Sequence, residues 1–294
     1  MSRLQWASIV NRAAAIVTGY DAVGGCTLRQ VYYRLVAEGL IPHTAPTYRR
    51  LSARLAQARR DREFPDLIDP LREVHAPPSW PDARAFLREA PDWFALDRTA
   101  GQSTAVYAAC EKDTLRAQLT RWLQDTGIPV LVVRGFGSQS YAQLVRERAA
   151  RDPRPAVLLY AGDFDASGAD IERDWIARTA CWATVQRVLL THDQVREHEL
   201  PPAEGKAGDP RWPTFARQHD LDPARPVQWE VEALDPAELR RLVLTAVEPY
   251  IDRTVLAARI ADEERQRAQL RTLTRQAIRS LNGHGDRPTN SDGA

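Results

Sequence analysis

Apolar side chains between Leu4 and Tyr20 fall at Leu4, Ala7, Ile9, Val10, Ala13, Ala14 and Val17. That spacing of three and four lays a stripe along one side of a helix. Gly19, Gly24 and Gly25 end it. A second helix is predicted over 27–39. Thr27 and Gln30 occupy the two positions of a capping box, and Gly39 stands where a helix turns off into the left-handed region. Leu28, Val31, Tyr32 and Leu35 share one stripe of this helix. Tyr32 is therefore a core residue, and Tyr33 falls off the stripe, exposed, one turn after Arg29. A third helix runs from about Pro46 to Arg60. Tyr48, Leu51, Leu55 and Ala58 form its buried side, and Arg49, Arg50, Ala53, Gln57 and Arg60 the opposite one. The stretch 64–74, broken by Pro65 and Pro70, has room for a short hairpin.

Beyond residue 103 the pattern changes. Apolar runs at 104–110, 129–133, 156–161 and 184–190 alternate with helical periods at 113–125, 138–150 and 168–179. Such alternation predicts a mostly parallel sheet covered by helices. The Pro/Gly-rich segment 201–226 reads as a long loop, 227–234 as a further strand, and 236 onward as helix. The predicted fold class is α+β/α/β. Residues 1–75 form a winged-helix domain, a variant of helix-turn-helix. Residues 76–102 are a linker centred on the Pro-rich run from His75 to Pro81, 103–281 an α/β domain with a C-terminal helical extension, and 282–294 a disordered tail.

Composition narrows the classes of function. At 294 residues, with 44% hydrophobic and 27% charged side chains, the chain can build two modest cores and is globular. No apolar run has the length of a membrane span, so no membrane partner is expected. Cys26, Cys110 and Cys181 are far apart and form no CxxC, which fits a reducing cytoplasm. The formal net charge of +1 hides an asymmetry. Residues 1–62 hold ten Arg, no Lys and three acids, for +7, and the remainder sums to −6. A basic module beside an acidic one suggests double-stranded DNA on the first and a cation on the second, and hence a nucleoid-associated location. Arg49, Arg50, Gln57 and Arg60 are the candidate DNA contacts, to phosphates and base edges. The plainer alternative is a solvated basic face. The only lysines, Lys112 and Lys206, lie outside any GK[ST] context, which excludes a Walker A loop.

The acids carry the most chemistry. Asp163-Phe164-Asp165-Ala166-Ser167-Gly168 follows one apolar run, and Glu111 ends another. Glu111, Asp163 and Asp165 are thereby expected at the carboxyl ends of two strands, where open α/β sheets bind ligands. Three hard oxygen ligands suit Mg²⁺ better than zinc. Strand-end carboxylates that merely cap the next helix are the competing reading. A calcium loop is rejected, because its twelfth position would be Asp174 and a strand rather than a helix enters it. On the second helix, a phenol beside a guanidinium can attack a phosphodiester, with Arg29 binding the phosphate. Spacing alone favours an ordinary surface tyrosine at 33.

Taken together, these residues resemble a family. Arg29-Gln30-Val31-Tyr32-Tyr33 is similar to the R-x-x-[YF]-Y motif of the topoisomerase VI A subunit and its meiotic double-strand-break relatives. Glu111-Lys112-Asp113 resembles the opening of that family's Toprim domain. Arg134-Gly135-Phe136-Gly137 resembles its G-x-G turn, Asp163–Gly168 its D-x-D-P-x-G, and Glu230-Val231-Glu232-Ala233-Leu234 its late E-x-x-A-L segment. The motifs occur in family order over residues 27 to about 250, with Ala166 in place of the usual Pro. The resemblance implies a winged helix followed by Toprim. Tyr33 is then the catalytic tyrosine, assisted by Arg29, with Mg²⁺ on Glu111, Asp163 and Asp165 and with Glu232 supporting that site. It also implies a homodimer in which each tyrosine works with the other subunit's metal. Only about 25 residues precede the tyrosine helix. The full-length A subunit has a longer arm that docks its ATPase B subunit, so the likeness is to the short stand-alone branch and no B subunit is expected. The implied activity is Mg²⁺-dependent double-strand cleavage through a 5′-phosphotyrosyl link. A Toprim nuclease using metal-activated water and a non-catalytic winged-helix DNA-binding protein are the alternatives.

Overall fold

The computed structural model describes residues 5–68, 76–133, 135 and 138–283. The chain divides into two compact units, 1–72 with 103–250, and 73–102 with 251–294.

The first unit begins with three helices, α1 (Trp6–Gly19), α2 (Leu28–Ala37) and α3 (Ala45–Arg60). Of the stripe read from the sequence α1 buries Ile9, Ala13 and Val17 and adds Ile16, while Ala7 is exposed and Val10 and Ala14 are half-buried. α2 starts where its capping box dictates. The Thr27 hydroxyl accepts the Gln30 N–H and the Gln30 side chain accepts the Thr27 N–H. Gly39, at φ +69°, turns the chain off its end. Leu51 and Leu55 of α3 are buried. The described part of the expected hairpin, 64–68, is irregular, and Ile68 N–H donates to Cys26 C=O at 3.0 Å. Residues 69–74 of that hairpin lie outside the described residues.

The sheet has four parallel strands, β1 (Ala105–Cys110), β2 (Val130–Val132), β3 (Ala156–Ala161) and β4 (Thr184–Leu189), in the order β2-β1-β3-β4. Parallel neighbours need crossover connections, and α5 (Asp113–Leu123), α6 (Gln139–Ala150) and α7 (Ala166–Thr179) provide them. Tyr107, Ala109, Leu158 and Tyr160 pack with Ala142 and Val145 of α6 and Ile171 and Trp175 of α7. On the other face, Ala108, Leu159 and Ala161 meet Leu119 of α5 and Val243 and Val247 of α10 (Pro236–Val247). Burial on both faces is why β1 and β3 read as unbroken apolar runs rather than alternating ones. Truncating the fully buried Trp175 to Ala would cost about 3–5 kcal/mol.

Three expectations are corrected. The segment 201–226 contains α9 (Trp212–Gln218) and β5 (Ala203–Glu204), which pairs antiparallel with β6 (Val227–Gln228). Trp212 and Phe215 supply the buried surface that lets so short a helix form, and the Trp212 indole donates to Pro223 C=O at 3.0 Å. The strand expected over 227–234 stops after Gln228 and becomes a 3₁₀ turn at Val231–Ala233. A further short helix, α8 (His192–Glu197), follows β4.

The expected linker is the third correction. Residues Ala83–Trp93 form a helix, α4, capped by Asp82, whose side chain accepts the Ala85 N–H at 2.7 Å. Together with the long α11 (Arg253–Gly283) it makes the second unit. Buried Glu263 of α11 accepts the Leu96 N–H (3.0 Å) and guanidinium groups of Arg98 (3.0 Å) and Arg267 (2.6 Å). The Pro run before Asp82 and Pro91 within the helix mask α4 in the sequence. Residues 282 and 283 of the expected tail continue α11, and 284–294 lie outside the described residues. No helix among the described residues is long and apolar enough to cross a membrane.

Candidate active site

Sheet register brings the acids together. Cys110 pairs with Ala161, so β1 and β3 end level and release Glu111 and Gly162-Asp163 at the same edge. Glu111 N–H donates to Ala161 C=O at 3.2 Å, and Arg187 of β4 donates to Asp163 C=O at 2.6 Å, fixing the turn from behind. Asp165 is the N-cap of α7, and its Oδ1 accepts the Gly168 N–H at 2.6 Å. A Cβ at Gly168 would come within 2.7 Å of Asp163 C=O, so this position of the turn admits only glycine.

The three acids do not have equal freedom. Buried Asp163 has both oxygens engaged. Oδ1 accepts the Val231 N–H at 3.0 Å, and Oδ2 lies 2.6 Å from the Lys112 ammonium. Glu111 and Asp165 border a common cavity of about 140 Å³. Glu111 Oε2 is buried with no hydrogen-bond partner in the structure. Burial first, then the charge of Asp163, pushes the Glu111 carboxyl up to about 7, with Lys112 opposing. Among the described residues no group of three or more His, Cys, Asp or Glu side chains is arranged to hold a metal ion. The expected three-ligand set is thus reduced, because Lys112 occupies the third carboxylate. Glu111, with its orphaned oxygen, and Asp165, beyond its capping bond, are hard carboxylates that fit Mg²⁺, which is commonly held by one or two carboxylates with water and phosphate filling the rest.

Tyr33 is not exposed. It is 3% accessible, as buried as Tyr32 at 4%. The phenol donates to Glu230 Oε2 at 3.2 Å. The Glu230 carboxylate also pairs with the Arg29 guanidinium, and its Oε1 lies 3.9 Å from Lys112 Nζ. Tyr33, Glu230, Lys112 and Asp163 thereby form one polar chain, from α2 to the strand ends. Burial, followed by the charge of Glu230, raises the Tyr33 phenol, and Arg29 opposes both. Burial also works against the Glu230 carboxylate, but Lys112, Arg29 and the Tyr33 hydroxyl outweigh it and hold it below the usual range. Lys112 is pushed up to about 12: burial lowers it, and Asp163 and Glu230 more than compensate.

Glu232, expected beside the metal, lies instead against α2. Its Oε1 accepts the Thr27 hydroxyl at 2.7 Å and its Oε2 is 3.7 Å from Arg29 Nε. Two residues do not emerge as site groups from the sequence. Glu230 heads the E-x-x-A-L segment without an assigned role, and a 3₁₀ turn makes it and Glu232, on either side of buried Val231, two inward carboxylates. Lys112 is signalled by rarity: a chain that uses 38 Arg places a compact ammonium at a strand end.

Of the expected DNA contacts, Arg49, Arg50, Gln57 and Arg60 are all exposed on α3. Arg60 donates to Gln57 Oε1 (2.6 Å), and Gln57 donates to Asp61 (2.9 Å). Arg50 and Arg54 lie over the Trp6 ring at 5.9 and 6.0 Å. A cavity of about 710 Å³ separates α3 from the acids, lined by Arg29, Tyr48, Arg59, Glu111, Lys112 and Asp113 among others. Of the G-x-G turn, Gly135 has φ +56°, and Arg134, Phe136 and Gly137 lie outside the described residues.

A scan against models of known protein families matches none, and no curated protein matches the chain.

Proposed function

We propose that this protein cleaves double-stranded DNA by tyrosine transesterification, with Tyr33 as nucleophile and Mg²⁺ on Glu111 and Asp165, in the manner of the topoisomerase VI A family. In this reading the three N-terminal helices are a winged-helix domain and the sheet is a Toprim domain. The observation that carries it is the Tyr33–Glu230 hydrogen bond, which joins a phenol on one half of the unit to the acids on the other.

The chain's own groups divide the work. Glu230 Oε2 orients the Tyr33 hydroxyl through their hydrogen bond, the phenol proton passes to solvent, and the phenolate oxygen forms the new bond to phosphorus. The 3′ oxygen of the adjacent deoxyribose leaves with its bonding pair and is protonated from solvent. Arg29 and Lys112, which flank Glu230, bind the non-bridging oxygens. Arg29 and Lys112 are already shared among Asp163, Glu230 and Glu232, so little of their positive charge is left for a phosphodiester. Bound Mg²⁺ would supply the missing positive charge and stabilise the leaving oxygen. Two cuts need two tyrosines, so the working form is a homodimer on nucleoid DNA.

The test is to incubate the protein with DNA and Mg²⁺, trap with denaturant, and look for protein-linked ends. Wild type and Tyr32→Phe should give adduct, and Tyr33→Phe only background. The burial of Tyr33 favours one competitor, hydrolysis by metal-activated water. Cleavage with free ends and no adduct, unchanged in Tyr33→Phe, would establish that reading instead.

A further inference from the structure

Tyr33, Arg29 and Glu230 also border a second cavity, of about 580 Å³, which Glu111, Asp163 and Asp165 do not line. Its walls are aromatic: Tyr32, Tyr33, His43 and Tyr48 all line it. Tyr32 meets Tyr48 edge to face at 5.1 Å and His43 at 5.7 Å, so the rings brace one another. Arg29 borders this cavity as well as the larger one on the acid side, and its guanidinium carbon lies 5.3 Å from the centre of the Tyr48 ring. Gln228 and Glu204, on the β5–β6 ribbon, supply polar groups at the opposite wall. Strand cleavage by Tyr33 and Arg29 leaves the rest of this cavity idle.

We propose that the cavity receives the base of an unpaired nucleotide next to the phosphate being cut. The inference rests on DNA being the substrate. A phosphate at the Tyr33 hydroxyl and Arg29 has its own sugar and base attached, and those must go somewhere within a nucleotide's reach. The aromatic cavity opens from the same two residues, and it lies in the size range of small-molecule sites. Base-on-aromatic stacking tolerates any of the four bases, so the site selects an unstacked base rather than a sequence. A base inside a duplex cannot reach such a cavity without leaving the stack, which costs a few kcal/mol and least where pairing is already weak. The favoured substrate is therefore DNA with a mismatched or unpaired nucleotide at the cut.

The probes are thymidine 3′,5′-bisphosphate and deoxyribose 3′,5′-bisphosphate, the same molecule without its base, titrated calorimetrically into the full chain with Mg²⁺. Wild type should bind the base-bearing compound about 5- to 150-fold more tightly. Tyr48→Phe should keep that preference. Tyr48→Ala should bring it near unity and leave the affinity for the abasic compound unchanged, and His43→Ala takes its place if that variant fails to fold. Equal wild-type affinities, no binding of either compound, or a full preference in the folded alanine variant would overturn the proposal. A base preference without a covalent adduct would remove the transesterase reading and keep this site, and an adduct without the preference would do the reverse.

Discussion

Glu111 gathers the consequences of burial beside other acids into one side chain. Its folded carboxyl, near 7, sits above the ordinary value of 4.5, so between those limits the folded chain binds a proton that the unfolded chain lacks. This group therefore makes the protein less stable as pH rises from about 4.5 to 7, with no further loss above. In metal-free buffer the melting temperature of Glu111→Gln should exceed that of wild type at pH 7 and approach it at pH 5. Mg²⁺ should raise the wild-type melting temperature at pH 7 and raise that of the variant less. Scanning calorimetry at the two pH values, with and without the ion, checks both. Equal response of the two proteins to Mg²⁺ would remove Glu111 from the ligand set. The position of Glu111 can be read from the chain, because a strand-end acid needs only an apolar run and its last residue. Its unpartnered oxygen cannot, since that depends on what Gly162, Tyr160 and Lys112 leave around it.

At the scale of the elements, local rules and distant partners separate cleanly. The start of α2 is legible because the Thr27–Gln30 box lies within four residues. The strands are legible because burial on both faces leaves a mark on every residue. The burial of Tyr33 is not, since the group that covers it comes from 197 residues away. A helical wheel cannot see a carboxylate delivered by another part of the chain. The same limit hides α9, whose Trp212 and Phe215 look like loop residues until their partners are known. α3 is the opposite case, and its exposed side is the one predicted. Replacing Arg49, Arg50 and Arg60 by Ala should weaken binding to unrelated DNA sequences alike. In a plot of log affinity against log salt, the slope should flatten by about 0.9 for each phosphate that is no longer neutralised. Fluorescence anisotropy over a salt series measures it, and an unchanged slope would move the DNA path off α3.

For the whole molecule, the decisive question is which chain's acids serve which tyrosine. Tyr33 donates to Glu230 of its own chain, and Glu230 connects to Asp163 through Lys112. The resemblance implies a partner subunit's metal for each tyrosine. Mixing Tyr33→Phe protein with Glu111→Ala protein should then give heterodimers with one complete site, which nick one strand of a supercoiled plasmid. Heterodimers that form but do not nick would assign the tyrosine to its own chain's acids. The division of the chain has a consequence of another kind. Leu96 donates its N–H to Glu263, and 167 residues separate them. At about 5–20 residues per second, a ribosome needs on the order of 10–30 s to make that interval. Throughout it α4 has been made without α11, and Pro91, buried in the finished pair, and half-buried Leu87 have no partner helix to pack on. The sheet can close in that time, since all its strands are made by Leu189. The helical pair is the last piece of the newborn protein to become safe from aggregation.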